Sequence, residues 1–234
     1  MALTIKRIVR RRLPQSLKDW LLKVSLYDRY LRAIVMRNLP PPNVVAVEVT
    51  NACNLRCVMC PNPQMKRKRG YMKFDLFQEI VDEIKSFSPV VKLYTTGESL
   101  LHPKIFDMIQ YLKETTHCSV VLSTNATLFR DKVIEALIDP ATSPHSLQLS
   151  IEGCTPEEYE YFRKGAKFEE VYKKLETFKE LRDNSRVRYP ITSIHFLLTK
   201  ESDPVKFVRL WGRFCDYISV SVMQPLGLRR FLMK

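Results

Sequence analysis

No stretch of about 18 consecutive apolar residues occurs in this chain, so the sequence holds no candidate transmembrane helix. The amino terminus is charged but lacks the apolar centre and small-residue cleavage site of a secretory signal. Internal repeats and low-complexity segments are missing as well. Cysteine is sparse, six residues among 234, and three of them crowd into residues 51–61, which is no pattern for a disulfide framework. A reducing cytoplasm is the setting these absences fit. Negative charge is also short: 25 Asp and Glu oppose 38 Lys and Arg, for a net charge of +13. The excess is uneven. Residues 1–38 hold ten basic residues against Asp19 and Asp28, and a second knot stands at Lys66, Arg67, Lys68 and Arg69. Neither cluster is interleaved with aromatic residues as a nucleic-acid stacking surface would be, so nucleic acid is not the expected partner. What remains is a solvated basic face, suited to peripheral contact with an anionic membrane surface or to an acidic protein.

With 45% hydrophobic residues, the chain is long enough for one well-formed core. Early on, Leu17, Trp20, Leu21, Val24 and Leu31 fall near helical spacing, until Pro40, Pro41 and Pro42 forbid continuation. Residues 1–43 therefore read as a basic, amphipathic helical extension, expected to pack against the core domain. Beyond them, β-branched runs alternate with helical patterns. Strands are expected at 44–50, 90–96, 119–125, 146–153, 191–199 and 217–223. Helices are expected at 74–87, 104–116, 131–138, 156–182 with a break near Gly165, and 204–214. A helix in each gap gives parallel strands with right-handed crossovers. An open doubly wound sheet and a barrel-like sheet both satisfy that pattern. Polar residues collect just after the strands, among them Thr96 to Glu98, Thr124, Asn125, Ser150 and Glu152, and barrels gather their chemistry at that rim. The expected fold is α/β, a partial (βα)6 TIM-like barrel over residues 44–225, with the helical extension before it and a short tail at 226–234.

Cys53, Cys57 and Cys60 follow the first strand in a Cys-x3-Cys-x2-Cys spacing. A structural zinc site wants four ligands, commonly as two pairs, and no second Cys or His pair stands elsewhere. A disulfide would leave one cysteine over. Thiolates also hold iron–sulfur clusters, and three of them leave one iron of a [4Fe–4S] cubane open to a substrate or cofactor. The spacing points to the cluster. Cys118 and Cys215 read as small core residues, Cys154 reads as structural too, with an approach to substrate from its rim position after Gly153 as the alternative, and the four His show no paired ligand spacing. Glu48 alternates with valines in the first strand and is expected to face the barrel lumen, where a carboxylate needs a partner that the sequence does not name.

These motifs, in this order, resemble those of the radical S-adenosylmethionine (radical SAM) enzymes. Residues 48–61, EVTNACNLRCVMCP, are similar to the family's signature loop. The resemblance implies that Cys53, Cys57 and Cys60 hold a [4Fe–4S] cluster whose fourth iron binds the amino and carboxylate groups of S-adenosylmethionine (SAM). Residues 95–103, TTGESLLHP, resemble the Gly-Gly-Glu element, which assigns the methionyl ammonium to Gly97 and Glu98, with Thr96 where glycine is usual. STNATLF (123–129) resembles a Thr-Asn-Gly turn and puts Thr124 and Asn125 near the cofactor. By the likeness of residues 149–171, Ser150 bonds the SAM ribose and Arg163 pairs with the methionyl carboxylate. There Glu152 replaces the more common aspartate. Residues 194–200 take the place of the adenine-contacting strand, through Phe196 to Leu198, and Met59 fills a position that is often aromatic.

The family's chemistry, as the resemblance implies it, is reductive cleavage of SAM to a 5′-deoxyadenosyl radical that abstracts hydrogen from a substrate. Flavodoxin or ferredoxin is the implied electron donor, and the basic surface is expected to guide that acidic partner. PNPQMKRKRGYM (61–72) is similar to the loop after the cluster in peptide-modifying members that carry a C-terminal SPASM-type cluster domain, which this sequence does not contain. A peptide is therefore the expected substrate. Oxidation of a carbohydrate or small alcohol is the alternative, as is a cluster- and SAM-binding role that is non-catalytic or depends on a partner.

Overall fold

The computed structural model describes residues 40–185, 187, 189–198 and 203–222. The expected helices of the amino-terminal extension and the tail at 226–234 lie outside the described residues. A compact unit opens at Asn43 and contains every element below. Its order is β1 Val44–Ala46, α1 Phe74–Ile84, β2 Val90–Lys92, α2 Ile105–Thr115, β3 Ser119–Thr124, α3 Asp131–Ile138, β4 Ser146–Ser150, α4 Pro156–Phe162, α5 Phe168–Asn184, β5 Ile191–Leu198, α6 Pro204–Trp211 and β6 Tyr217–Val222. All pairs are parallel, and the strands follow one another across the sheet in sequence order without closing. This is the partial TIM-like barrel expected from the alternation together with the polar residues that follow the strands.

Two-residue periodicity splits the sheet into two faces. Val91, Val120, Leu122, Leu147, Leu149, Ile194 and Phe196 are buried toward the helices. The helices answer with stripes such as Phe77, Val81 and Ile84 on α1 and Ile105, Met108, Ile109 and Leu112 on α2. The opposite face carries Lys92, Ser123, Gln148, Ser150 and His195, all half-buried. That face is concave. Tyr94, just past β2, and Tyr217 on β6 stand four strands apart in the order, yet Tyr217 lies near enough to add to the upward push that burial gives the Tyr94 phenol. Only a curled sheet brings them together, and its concave side is the lumen.

Departures from the expected elements fall at the rim. β1 and β2 leave the regular ladder after three residues each. Beyond them, the Thr95 and Thr96 hydroxyls turn to Glu48 and the Ser99 hydroxyl caps the Leu93 carbonyl. The long helix expected over 156–182 is two, α4 and α5, separated at residues 163–167. Gly165 has φ +100°, a left-handed conformation that glycine adopts without strain, and it faces Leu55 of the cysteine loop. Thr155 caps α4 by accepting from Glu158 N–H at 3.3 Å, while the Glu158 carboxylate accepts from Cys154 N–H at 2.6 Å.

Candidate cluster and cofactor site

The cysteine loop is fixed on both sides. Toward α4, Arg56 N–H donates to the Lys164 carbonyl at 2.9 Å and Val58 N–H to the Phe162 carbonyl at 3.1 Å. Toward residues 62–72, Asn51 works as a clasp: its amide nitrogen donates to Lys68 O at 2.9 Å and its side-chain oxygen accepts from Gly70 N–H at 2.8 Å. Asn62 is buried and donates to both Asn51 O, at 2.9 Å, and Thr96 O, at 2.7 Å. Arg69 adds bonds to the same Asn51 carbonyl and to Asn62 O. The loop after the cysteines is thus bound to the loop that carries them.

Each thiol has a donor aimed at its sulfur. Leu55 N–H approaches Cys53 Sγ at 3.5 Å, Asn62 N–H approaches Cys60 Sγ at 3.4 Å, and Arg163 Nη1 approaches Cys57 Sγ at 3.6 Å. Burial pushes the Cys53 and Cys57 thiols up, and at Cys57 the Arg163 charge opposes it. Coordination reverses that balance, because a metal deprotonates the thiols it binds. Among the described residues no three His, Cys, Asp or Glu side chains converge as ligands of a single ion would. The donor set nonetheless fits a cluster: three free thiols within electrostatic reach of one another, each sulfur receiving an N–H. Tyr159 stands nearby. Its hydroxyl is the one buried side-chain polar atom without a partner among the described residues, and it senses Arg163, Glu152 and Cys57.

The other expected site residues lie around the same rim. Glu98 is buried; its carboxylate accepts from Leu100 N–H at 3.2 Å and Asn125 N–H at 2.8 Å. Burial raises its pKa, and those bonds together with one from Thr124 only partly oppose the rise. Gly97 is pressed against the cysteine loop: a Cβ there would sit 2.2 Å from Thr50 O and 2.8 Å from Ala52 O. Next to it, Glu98 N–H donates to Ala52 O at 2.8 Å. Thr124 and Asn125 are buried, and Asn125 donates to Asn54 Oδ1 at 3.0 Å, tying the turn after β3 to the cysteine loop. Ala126 holds φ +60° where the Thr-Asn-Gly turn has its glycine. Ser150 shares a hydrogen bond of 3.2 Å with Ser123. Arg163 makes a buried ion pair with Glu152 through Nε, and burial, which alone would lower its pKa, is outweighed by Glu152 and Cys57, which raise it.

The partner of Glu48 is Arg67. Its guanidinium stands 2.7 Å from Glu48 Oε2, while Thr95 and Thr96 donate to Oε1 at 2.6 and 2.5 Å. Held chiefly by Arg67, against some burial, the carboxyl falls to about 2. Neither this pairing nor the role of Asn51, Asn62 and Arg69 as stitches is written in local sequence; their polarity in a motif-bearing loop was the available signal. Phe196 does not face the lumen. It is buried and stacks on Phe207 of α6, with centroids 4.1 Å apart. His102 supports the rim: Nδ1 accepts from Lys104 N–H at 3.1 Å, which leaves Nε2 to donate to Met72 O at 2.9 Å. Cys118 is core, and Cys154 and Cys215 are half-buried near carbonyl oxygens.

Comparison with known proteins agrees with this geometry. The family model of the radical SAM superfamily matches residues 47–209, and the chain belongs to that superfamily. Its members use a [4Fe–4S] cluster and SAM. The mycofactocin maturase MftC of Mycobacterium tuberculosis is 28% identical over 193 residues, which cover 82% of this chain and 47% of MftC. The tungsten-containing aldehyde ferredoxin oxidoreductase cofactor-modifying protein of Pyrococcus furiosus is 34% identical over 95 residues, 40% of this chain and 26% of that protein. Among solved structures, Streptococcus suis SuiB bound to its precursor peptide SuiA shares the fold, with a TM-score of 0.65 at 17% identity over 85% of this chain and 44% of SuiB. The chain spans less than half the length of these relatives. Among the described residues no helix is long and apolar enough to cross a membrane.

Proposed function

We propose that this chain is the catalytic core of a radical SAM enzyme that modifies a peptide. One observation carries the reading: three thiols, each met by a donor, are strapped to the rim that holds Gly97, Glu98, Thr124, Ser150 and Arg163. When bound, the [4Fe–4S] cluster and SAM supply the electron transfer and the hydrogen-abstracting power. The chain's own residues position them. Cys53, Cys57 and Cys60 are the cluster ligands, and the N–H groups of Leu55 and Asn62 are aimed at the sulfurs of two of them. Glu98 takes the methionyl ammonium, which relieves the cost of burying its charge. Arg163 keeps Nη2 without a partner among the described residues, and that nitrogen is left for the methionyl carboxylate. Ser150 bonds the ribose, and Thr124 holds Glu98 in place.

The peptide assignment is supported by the maturase MftC and by the peptide bound to SuiB. Electrons arrive from flavodoxin or ferredoxin in the cytoplasm. Arg56 and Lys164 are exposed and joined beside the cysteine loop, a basic approach for an acidic donor. The test is anaerobic reconstitution with iron and sulfide, then dithionite and SAM, read out as 5′-deoxyadenosine. About four irons per chain and 5′-deoxyadenosine, both lost in Cys57→Ala, are expected. Zinc retained in place of iron would sink the reading.

A further inference from the structure

The lumen's polar groups sort into two sets. Two of its acids are already neutralised, Glu48 by Arg67 and Glu152 by Arg163, and the third, Glu98, is held by the N–H groups of Leu100 and Asn125. Its donors are left open. The ammonium of Lys92, a residue half-buried on the lumen face of β2, makes no hydrogen bond and no ion pair among the described residues. One row nearer the rim, Gln148 accepts from the Tyr94 hydroxyl at 3.3 Å through Oε1, which leaves its amide N–H groups without a partner there. The register continues from Gln148 to Ser193 and then to Tyr217, and neither of those hydroxyls is hydrogen-bonded among the described residues. Lys92 and Gln148 are half-buried, Ser193 is buried and Tyr217, on the edge strand, is 51% exposed, so a ligand there exchanges water for its own acceptors on donors that no protein group occupies.

We infer that these two neighbouring rows together bind an anion, a carboxylate of the substrate, with Lys92 as the cation and Gln148, Ser193 and Tyr217 as the flanking donors. The inference rests on the lumen being the substrate chamber of the proposed enzyme. A neutral or cationic group would leave Lys92 unpaired. A carboxylate takes the ammonium and two further donors at once, in charge-assisted bonds. The position suits a side chain or chain terminus that enters from the rim. Ser150 stands four residues along the strands from the row of Lys92, about 13 Å between Cα levels, and the lysine side chain spans part of that. The anchored end would thus lie deep while the reacting carbon stays near the cofactor.

The test uses the full chain labelled with [13C]tyrosine, with signals assigned through Tyr94→Phe and Tyr217→Phe. Glutarate serves as the carboxylate probe, inorganic phosphate as the other anion and glutaramide as the neutral control. Glutarate is expected to shift Tyr94 and Tyr217 saturably and glutaramide to leave them in place. Affinity should fall at least tenfold in Lys92→Met and survive in Lys92→Arg, whose melting curves report folding. Phosphate shifting them more tightly, with the same Lys92 dependence, would keep the anion site and move the ligand class to phosphate. Equal shifts with glutaramide, or full glutarate affinity in a folded Lys92→Met, would overturn the site. Formation of 5′-deoxyadenosine by the reconstituted wild type is scored separately, so loss of the enzyme reading and loss of the anion site are distinct results.

Discussion

Glu152 and Arg163 form an ion pair in which both side chains are only 12% exposed. Removing one partner from such a pair leaves a buried, uncompensated charge and costs about 3–5 kcal/mol. Glu152→Gln and Arg163→Met should therefore each destabilise by about 3 kcal/mol or slightly more. The double variant should cost no more than the worse single, because the second removal also deletes the stranded charge; the coupling is about 3 kcal/mol, at the top of the usual range. With a urea dependence of about 2 kcal/mol per M, each single change lowers the unfolding midpoint by roughly 1.5 M. The reduced, metal-free protein is the right sample. A second readout separates electrostatics from packing. Arg163 lowers the Cys57 thiol pKa and Glu152 raises it. Arg163→Met should then make Cys57 slower to alkylate at a given pH and Glu152→Gln faster, although both weaken the fold. Strict additivity of the two changes, or a Cys57 shift of the same sign in both, would refute the reasoning.

Three other changes follow from single contacts. Gly97→Ala drives a Cβ to 2.2 Å from Thr50 O; backbone must yield, so a loss of about 3 kcal/mol and failure to take up iron are expected, and normal iron stoichiometry would contradict that. Ala126→Gly relieves a left-handed residue at φ +60°, and after the entropy of the added freedom the gain is up to about 1 kcal/mol; a lowered melting temperature would speak against it. Glu48 has its carboxyl depressed from 4.5 to about 2, so its contribution is present above the ordinary carboxylate range and is lost as pH falls from 4.5 toward 2. Since Arg67 is 59% exposed, that contribution is screened to about 1 kcal/mol. Glu48→Gln should therefore match the wild type in stability at pH 2 and trail it at pH 6, as urea midpoints at both values will reveal.

Most of the fold was legible because it is periodic. Alternating valines marked the strands, and α3 at Asp131–Ile138 has the limits that its apolar stripe announced. The misplaced boundaries share a cause. Val49 and Thr50 continue the pattern of β1, but Thr50 turns its hydroxyl to Gly70 O at 2.7 Å and pairs with Tyr71 in an antiparallel bridge. That competition is tertiary, and local propensity does not contain it. Phe196 is a different case, since the signal was present. It shares strand parity with Ile194 and opposes His195, so alternation alone assigns it to the helix side.

The site divides along the same line. A Cys-x3-Cys-x2-Cys spacing survives in sequence because the chemistry needs thiols, whereas the donors to Cys53 and Cys60 are backbone N–H groups two residues further on. Any residue except proline supplies such a donor, so their identity left no trace. Pro61 lies between Cys60 and Asn62 and spares the N–H that Cys60 uses. Arg67 shows the opposite limit. It sits in a run of four basic residues that reads as solvated charge, and only the clasp made by Asn51, Asn62 and Arg69 decides which of the four meets Glu48. A charge pattern fixes how many cations a loop has. Its tertiary bonds fix which one has work to do, and here that cation closes a chain from the loop after the cysteines, through Glu48, to the hydroxyls of Thr95 and Thr96, immediately before Gly97 and Glu98.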